Sequence, residues 1–303
     1  MGALIDWTGA VPRVLGMLPA AAWYFNRICI VFRATREKQY EKIEHTALPK
    51  TKTPTVSVLE LTRQPDVATM PPNDAARTNN MNDRQRLIAQ VAATITRLPA
   101  NGVLRVGIDG VDGAGKSIFG DELAAVLAAT GRRVIRASID GFHNPRTLRY
   151  RQGRSSPLGY FEDSYNYAQL NAVLLAPLGP GGTGCYRTAI FDHRADAPVA
   201  LPEHRAAPGD ILVFDGIFLH RPELRTCWDF SIFLDVATAT SVQRCAHRDG
   251  TPPELHAPEN QRYIAGQQHY LATCTPQHYA TLVINNDDLA APRLIEGALQ
   301  PEI

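Results

Sequence analysis

A chain of 303 residues can hold one large domain or two small ones, and its 31 lysines and arginines nearly match its 30 aspartates and glutamates. That balance gives no global field for nucleic acid or an anionic membrane, so any recognition by charge has to be local. Five scattered cysteines, Cys29, Cys185, Cys227, Cys245 and Cys274, form no CxxC pair and no zinc spacing with histidine; they read as reduced thiols in a cytoplasm, each filling a small apolar space.

The first apolar run, residues 14–32, is interrupted by Pro19, Asn26 and Arg27 and falls short of the roughly 20 clean apolar residues that a membrane span needs. The opening MGALIDW carries Asp6 and lacks the basic start of a secretory signal. Residues 33–82 are polar and show no sustained period, as in a linker or tail. Residues 1–80 are therefore expected to be a poorly ordered or mis-set N-terminal extension, with Met81 a natural start and 81–303 the folded domain. Sequencing the N terminus of protein made from the native gene checks this, and abundant product beginning before Met81 contradicts it.

After Met81 the first helix is signalled by Asn82 or Asp83 as a cap and by Leu87, Ile88, Val91, Ile95 and Leu98 at helical spacing. From Val103 onward short β-rich runs alternate with helical stretches: VLRVGID, RVIRASID, DILVFDG, DFSIFLDV and ATLVINN. That alternation predicts an α/β fold with a five-stranded, mostly parallel sheet, helices on both faces and a short lid. Asp109, Asp140, Asp215 and Asn285 end four of these runs, at the carboxyl edge where such sheets bind ligands.

Between the first strand and the next helix, Gly110, Val111, Asp112, Gly113, Ala114, Gly115, Lys116 and Ser117 satisfy G-x-x-x-x-G-K-[ST], the phosphate loop of P-loop NTPases. Glycines let successive backbone N–H groups close on phosphate oxygens, and the following helix adds a partial positive charge. Lys116 is expected to bridge the β- and γ-phosphates of ATP, and Ser117 to ligate Mg²⁺. No NKxD-type guanine-reading segment and no LSGGQ-type signature follow, which weakens the GTPase and transporter readings.

The second strand runs into Asp140, a carboxylate able to reach an acceptor hydroxyl beside the loop. Asp215, ending DILVFDG, is the carboxylate expected to share Mg²⁺ with Ser117. Arg244 and Arg248 stand four apart on one face of a predicted helix, Thr238–Asp249, and are expected to close over the phosphates, with Arg262 a further candidate. Arg151 and Arg154 in YRQGRSSP read either as guides for an anionic substrate or as a solvated loop.

GVDGAGKS, DGFH, GYFEDSYNY, YRTAIFDHR and VFDGIF, in that order over nearly all of residues 81–293, resemble uridine kinase and its relatives among P-loop nucleoside kinases. The resemblance implies ATP- and Mg²⁺-dependent phosphorylation of a small hydroxyl substrate, with Asp140 as catalytic base, Asp215 on the metal, and arginines of the late helix on ATP. With the thiols and the charge balance above, the expectation is a cytoplasmic enzyme whose partner is a small-molecule substrate, a nucleoside first, with no nucleic acid and no membrane and with homo-oligomerisation left open. The chain departs from the family pattern in two places: the ribose aspartate falls on Tyr160, with only Asp163 matching a later acid, and Phe191 replaces a tyrosine next to His193 and Arg194. Tyr160, Asp163, Phe191, His193 and Arg194 remain the expected acceptor pocket. Uridine or cytidine leads as acceptor; pantothenate, a sugar phosphate, or a non-catalytic nucleotide-binding role are the alternatives.

Overall fold

The structure, a computed structural model, describes residues 81–99, 101–297 and 299; the N-terminal extension, the apolar run 14–32 and Cys29 lie outside the described residues. Helix α1 (Asp83–Thr96) opens with a capping box, in which the Asn82 side chain accepts from Gln85 N at 2.9 Å and the Gln85 side chain accepts from Asn82 N at 3.1 Å. Such a cap contributes about 1 kcal/mol. Burial of Leu87, Ile88, Val91 and Ile95 contributes roughly 1.5–3 kcal/mol per side chain, so docking on the sheet outweighs the cap.

Strand β1 (Leu104–Gly110) leads through the phosphate loop into α2 (Lys116–Ala129), then β2 (Val134–Ser138) and a 3₁₀ turn, Ile139–Phe142. Three short helices follow, α3 (Arg146–Arg149), α4 (Pro157–Asp163) and α5 (Tyr167–Leu170), the last continuing as a π-helical turn, Asn171–Leu175. Next come β3 (Cys185–Tyr186), β4 (Phe191–Asp192), β5 (Ala197–Pro198) and β6 (His204–Arg205), which make two antiparallel ribbons, β3 with β6 and β4 with β5. The chain then re-enters the main sheet as β7 (Ile211–Asp215) and β8 (Phe230–Asp235), passes through α6 (Thr238–Asp249), α7 (Pro258–Cys274) and α8 (Pro276–Tyr279), and ends in β9 (Leu282–Asn285) and β10 (Arg293–Glu296).

The main sheet has the order β10-β9-β8-β1-β7-β2. Its five expected strands are present and parallel, and β10 adds a sixth, antiparallel to β9 at the edge. Every residue of β1 and β7 is buried, as a parallel sheet covered on both faces requires. One apolar layer joins α1 and α2 to one face, through Val91, Phe119 and Leu123. The other joins α4 and α7 to the opposite face, through Tyr160, Phe161 and Tyr270. Asp215 pairs in register with Ile108 of β1 and with Ser138 of β2, so three strand ends deliver their loops to one edge. The four described cysteines are free thiols, and among the described residues no helix is long and apolar enough to cross a membrane.

Candidate active site

The phosphate loop has the backbone its glycines make available. Gly113 has φ +68° and an added Cβ would stand 2.6 Å from Ser241 O on α6; Gly115, the residue before α2, has φ +88°. Both conformations disfavour a side chain. The loop is braced from two sides: Asn286 Nδ2, itself held by Arg84 Nη1 on its Oδ1 at 3.2 Å, donates to Ala114 O at 2.7 Å, and Ser241 Oγ donates to Asp112 O at 2.6 Å. Lys116 Nζ donates to Val111 O at 2.7 Å, holding the ammonium over the loop. These features form a glycine loop at a helix N-terminus with the Lys116 ammonium held over it, which fits a polyphosphate.

Beside it, Ser117 Oγ donates to Asp215 Oδ2 at 2.7 Å. Asp215 is 2 % exposed. Its Oδ1 lies 2.9 Å from Arg136 Nη2 but outside hydrogen-bond geometry, so that oxygen is buried without a hydrogen bond. A hydroxyl oxygen and a carboxylate with one oxygen not hydrogen-bonded, beside a phosphate cradle, are the hard donors Mg²⁺ takes when phosphate and water complete its shell. The residues therefore fit the metal.

Asp140 is exposed, in the 3₁₀ turn two residues beyond the end of β2. Its carbonyl meets His143 Nδ1 at 2.9 Å. The His143 ring stacks on His193 with centroids 4.7 Å apart and tilts against Tyr165 at 4.5 Å. Gly141 O accepts from Ile190 N at 2.9 Å, so the ribbon of β4 and β5 is fastened to the Asp140 turn and brings His193 with it. Tyr165 lies within the field of both Asp140 and Asp112; burial first, then those two charges, push its hydroxyl well above its ordinary value. Burial lowers His193, and lowers His143 from 6.5 to about 4 despite Asp140 beside it.

That depression has a sign. As pH falls below 6.5 the unfolded chain binds a proton at His143 that the folded imidazole refuses until about pH 4, so its contribution to stability is complete above 6.5 and is lost on acidification through that window. The interval is worth at most on the order of 3 kcal/mol. His143→Phe is expected to flatten the fall in urea-unfolding free energy between pH 7 and pH 4.5; a variant as acid-sensitive as the wild type contradicts the assignment.

Several expected site residues stand elsewhere than over the phosphates or in an open pocket. Arg244 donates to three carbonyls, Gly113 O at 3.2 Å, Asn286 O at 2.9 Å and Asp287 O at 2.7 Å, and so ties the phosphate loop to the loop after β9. Arg248 is exposed and pairs with Asp249 at 2.6 Å. Arg262 is buried against Tyr150 and Tyr160 and donates to Arg154 O and Arg149 O, which makes it a brace of the acceptor-side loop. Tyr160 is buried, and its hydroxyl donates to Asp112 Oδ2 at 2.6 Å. Asp163 is buried on Arg151, at 2.6 Å, and Gln152, at 2.8 Å. Phe191 is buried in β4, while Arg194 is exposed at the turn beyond it, its carbonyl accepting from Arg146 Nη2 at 3.3 Å.

Asp109 is fully buried rather than facing ligand: it accepts from Gly110 N and Tyr270 Oη, and its Oδ2 lies 2.7 Å from His220 Nδ1, where the imidazole donates to the carboxylate. Sequence reasoning missed His143 as a site residue, although it stands in the DGFH segment. It also missed Arg136, Arg149 and Gln267, which carry no local motif.

Comparison with known proteins bears on this edge of the sheet. The model of the Phosphoribulokinase / Uridine kinase family matches residues 105–278, which run from β1 into α8 and so include the phosphate loop, the Asp140 turn, Asp215, α6 and α7. Comparison with curated proteins returns no match. Among solved structures, one from Bacillus stearothermophilus described as a possible uridine kinase superposes with a TM-score of 0.52 at 23% identity, over 66% of this chain and 97% of its own. Another, from Silicibacter sp. TM1040 and described as a candidate fructose transport system kinase, gives 0.50 at 24%, over 62% and 94%. At such identity these likenesses speak for the fold alone. The family match covers more than half of the chain, including the phosphate loop, Asp140 and Asp215, and this protein belongs to the Phosphoribulokinase / Uridine kinase family of P-loop kinases.

Proposed function

We propose that the chain transfers the γ-phosphoryl group of ATP to a hydroxyl of a small acceptor, with uridine or cytidine the first acceptor and its 5′-monophosphate the product. The observation that carries the chemistry is the placement of Lys116, the Ser117–Asp215 pair and exposed Asp140 beyond the carboxyl ends of the adjacent strands β1, β7 and β2. In this reading the loop N–H groups hold the phosphates, and Lys116 exchanges Val111 O for phosphate oxygens. Asp140 takes the proton of the acceptor hydroxyl. Ser117 and Asp215 hold Mg²⁺, which when bound neutralises charge on the transferred group. Arg248, being exposed, exchanges Asp249 for phosphate, whereas Arg244 acts by steadying the loop.

A planar base is supported by the paired rings of His143 and His193, backed by buried Tyr165, beside Asp140, with Arg194 exposed next to His193 and Phe191, Tyr160 and Asp163 buried. A second reading, an anionic acceptor such as a sugar phosphate or pantothenate, is favoured by Arg149. Its Nη2 pairs with Asp196 at 3.2 Å while its Nε is buried without a hydrogen bond, and its charge reaches His143 and His193. Exposed Asp140 and the Asp215 oxygen left without a hydrogen bond count against a nucleotide-binding role without transfer.

The test is ADP release by the purified chain with ATP and Mg²⁺ against uridine, cytidine, other nucleosides, pantothenate and sugar phosphates. Stimulation by uridine or cytidine alone is expected. Stimulation by an anionic acceptor instead moves the assignment to the second reading, and silence across the panel with ATP bound defeats transfer to any of them.

A further inference from the structure

Asp112 presents a physical difficulty: it puts a carboxylate into a loop built to attract phosphate, where like charge opposes binding. The structure disposes of that charge in a definite way. Asp112 Oδ2 accepts from Tyr160 Oη at 2.6 Å and from Gln267 Nε2 at 3.0 Å. The Gln267 Oε1 accepts from Asp112 N at 3.2 Å, so one amide grips the backbone and side chain of the same residue. Ser241 closes the set by donating to Asp112 O at 2.6 Å. Tyr160 and Gln267 are each 7% exposed, and they come from different helices, α4 and α7. The helices are locked to each other where an added Cβ on Gly266 would stand 2.8 Å from Tyr160 Cδ1.

We propose that Tyr160 and Gln267 are positioning residues that clasp Asp112 and hold its carboxylate toward α4 and α7, out of the phosphate site. The inference rests on the reading of the loop as the ATP site, and it gives Tyr160 a role through Asp112 in place of contact with the acceptor. Charge-bearing hydrogen bonds in a buried setting are the stronger kind, and removing a donor releases the carboxylate as well as loosening the loop. The consequence has a sign that packing alone does not produce: weakening the clasp harms ATP binding because Asp112 is acidic, so removing the acid must restore it.

The experiment measures binding of a fluorescent N-methylanthraniloyl ATP to the full chain by titration, for wild type, Tyr160→Phe, Gln267→Met, the double variant, and each of these combined with Asp112→Ser. Tyr160→Phe keeps the ring packing, so it serves if Gln267→Met fails to fold as judged by thermal melting. Each single variant is expected to weaken binding about tenfold, the effect of losing one charge-assisted hydrogen bond. With Asp112→Ser present, either clasp substitution is expected to change affinity less than about twofold, and Asp112→Ser with Gln267→Met is expected to bind more tightly than Gln267→Met alone. Clasp variants that bind as wild type, or an Asp112→Ser combination as weak as the clasp variant alone, overturn the proposal while leaving the ATP site standing. A wild-type chain that does not bind the analogue overturns the ATP reading and the clasp with it.

Discussion

Asp140→Asn is expected to lower kcat by about a thousandfold while leaving ATP affinity unchanged, within the range spanned by loss of a positioned general base. Asp140 lies in the turn after β2, outside the phosphate loop, and its backbone carbonyl is taken by His143. Its substitution is therefore expected to act through the acceptor rather than the nucleotide. Asparagine matches the carboxylate in shape and still accepts a hydrogen bond, but it cannot take a proton. Loss of turnover with intact ATP binding, read by coupled ADP release and by nucleotide titration, assigns the proton transfer to this side chain. Unchanged turnover removes the base role, and a parallel loss of ATP affinity assigns Asp140 to the loop's structure.

The parts of this site readable in the sequence are those whose chemistry is local. GVDGAGKS announces its backbone through glycines at fixed offsets, and Asp215 and Asp140 announce themselves by ending β-rich runs. The Asn82 cap and the helix Thr238–Asp249 were legible for the same reason. What was not legible depends on contacts between distant residues. Tyr160 occupied the place of a ribose carboxylate in the motif order, so the sequence suggested an acceptor role, whereas its hydroxyl meets Asp112, 48 positions away. Arg244 and Arg248 share a helix face, but only the fold reveals that Arg244 meets three carbonyls first and Arg248 an adjacent aspartate. Asp109 had the same strand-end signature as Asp215; its burial on His220 and Tyr270 follows from those two residues arriving from β7's outgoing loop and α7. The edge strand β10 is four residues long, with a register shift between Leu294 and Glu296, too short for an alternating pattern to stand out.

Asp215→Asn is expected to reduce turnover by at least a hundredfold at ordinary Mg²⁺ concentrations, the scale of losing one preorganised charge contact at a transferring group. The case rests on how the native carboxylate is divided. Oδ2 is committed to Ser117 Oγ, while Oδ1 is buried with Arg136 close by but not hydrogen-bonded to it. Asparagine can still accept from Ser117 through its carbonyl, so the pair survives in shape. Its NH₂ group, however, faces the Arg136 guanidinium, two donors without an acceptor, and the anionic oxygen that would face Mg²⁺ is gone. Two effects then separate in a titration. If Asp215 serves the metal, raising Mg²⁺ recovers part of the lost turnover in Asp215→Asn, and the concentration giving half-maximal rate moves upward relative to wild type. If Asp215 only anchors Arg136, Arg136→Gln in the same background relieves the clash between donors and restores turnover at unchanged Mg²⁺ demand, which would take the carboxylate out of the metal site.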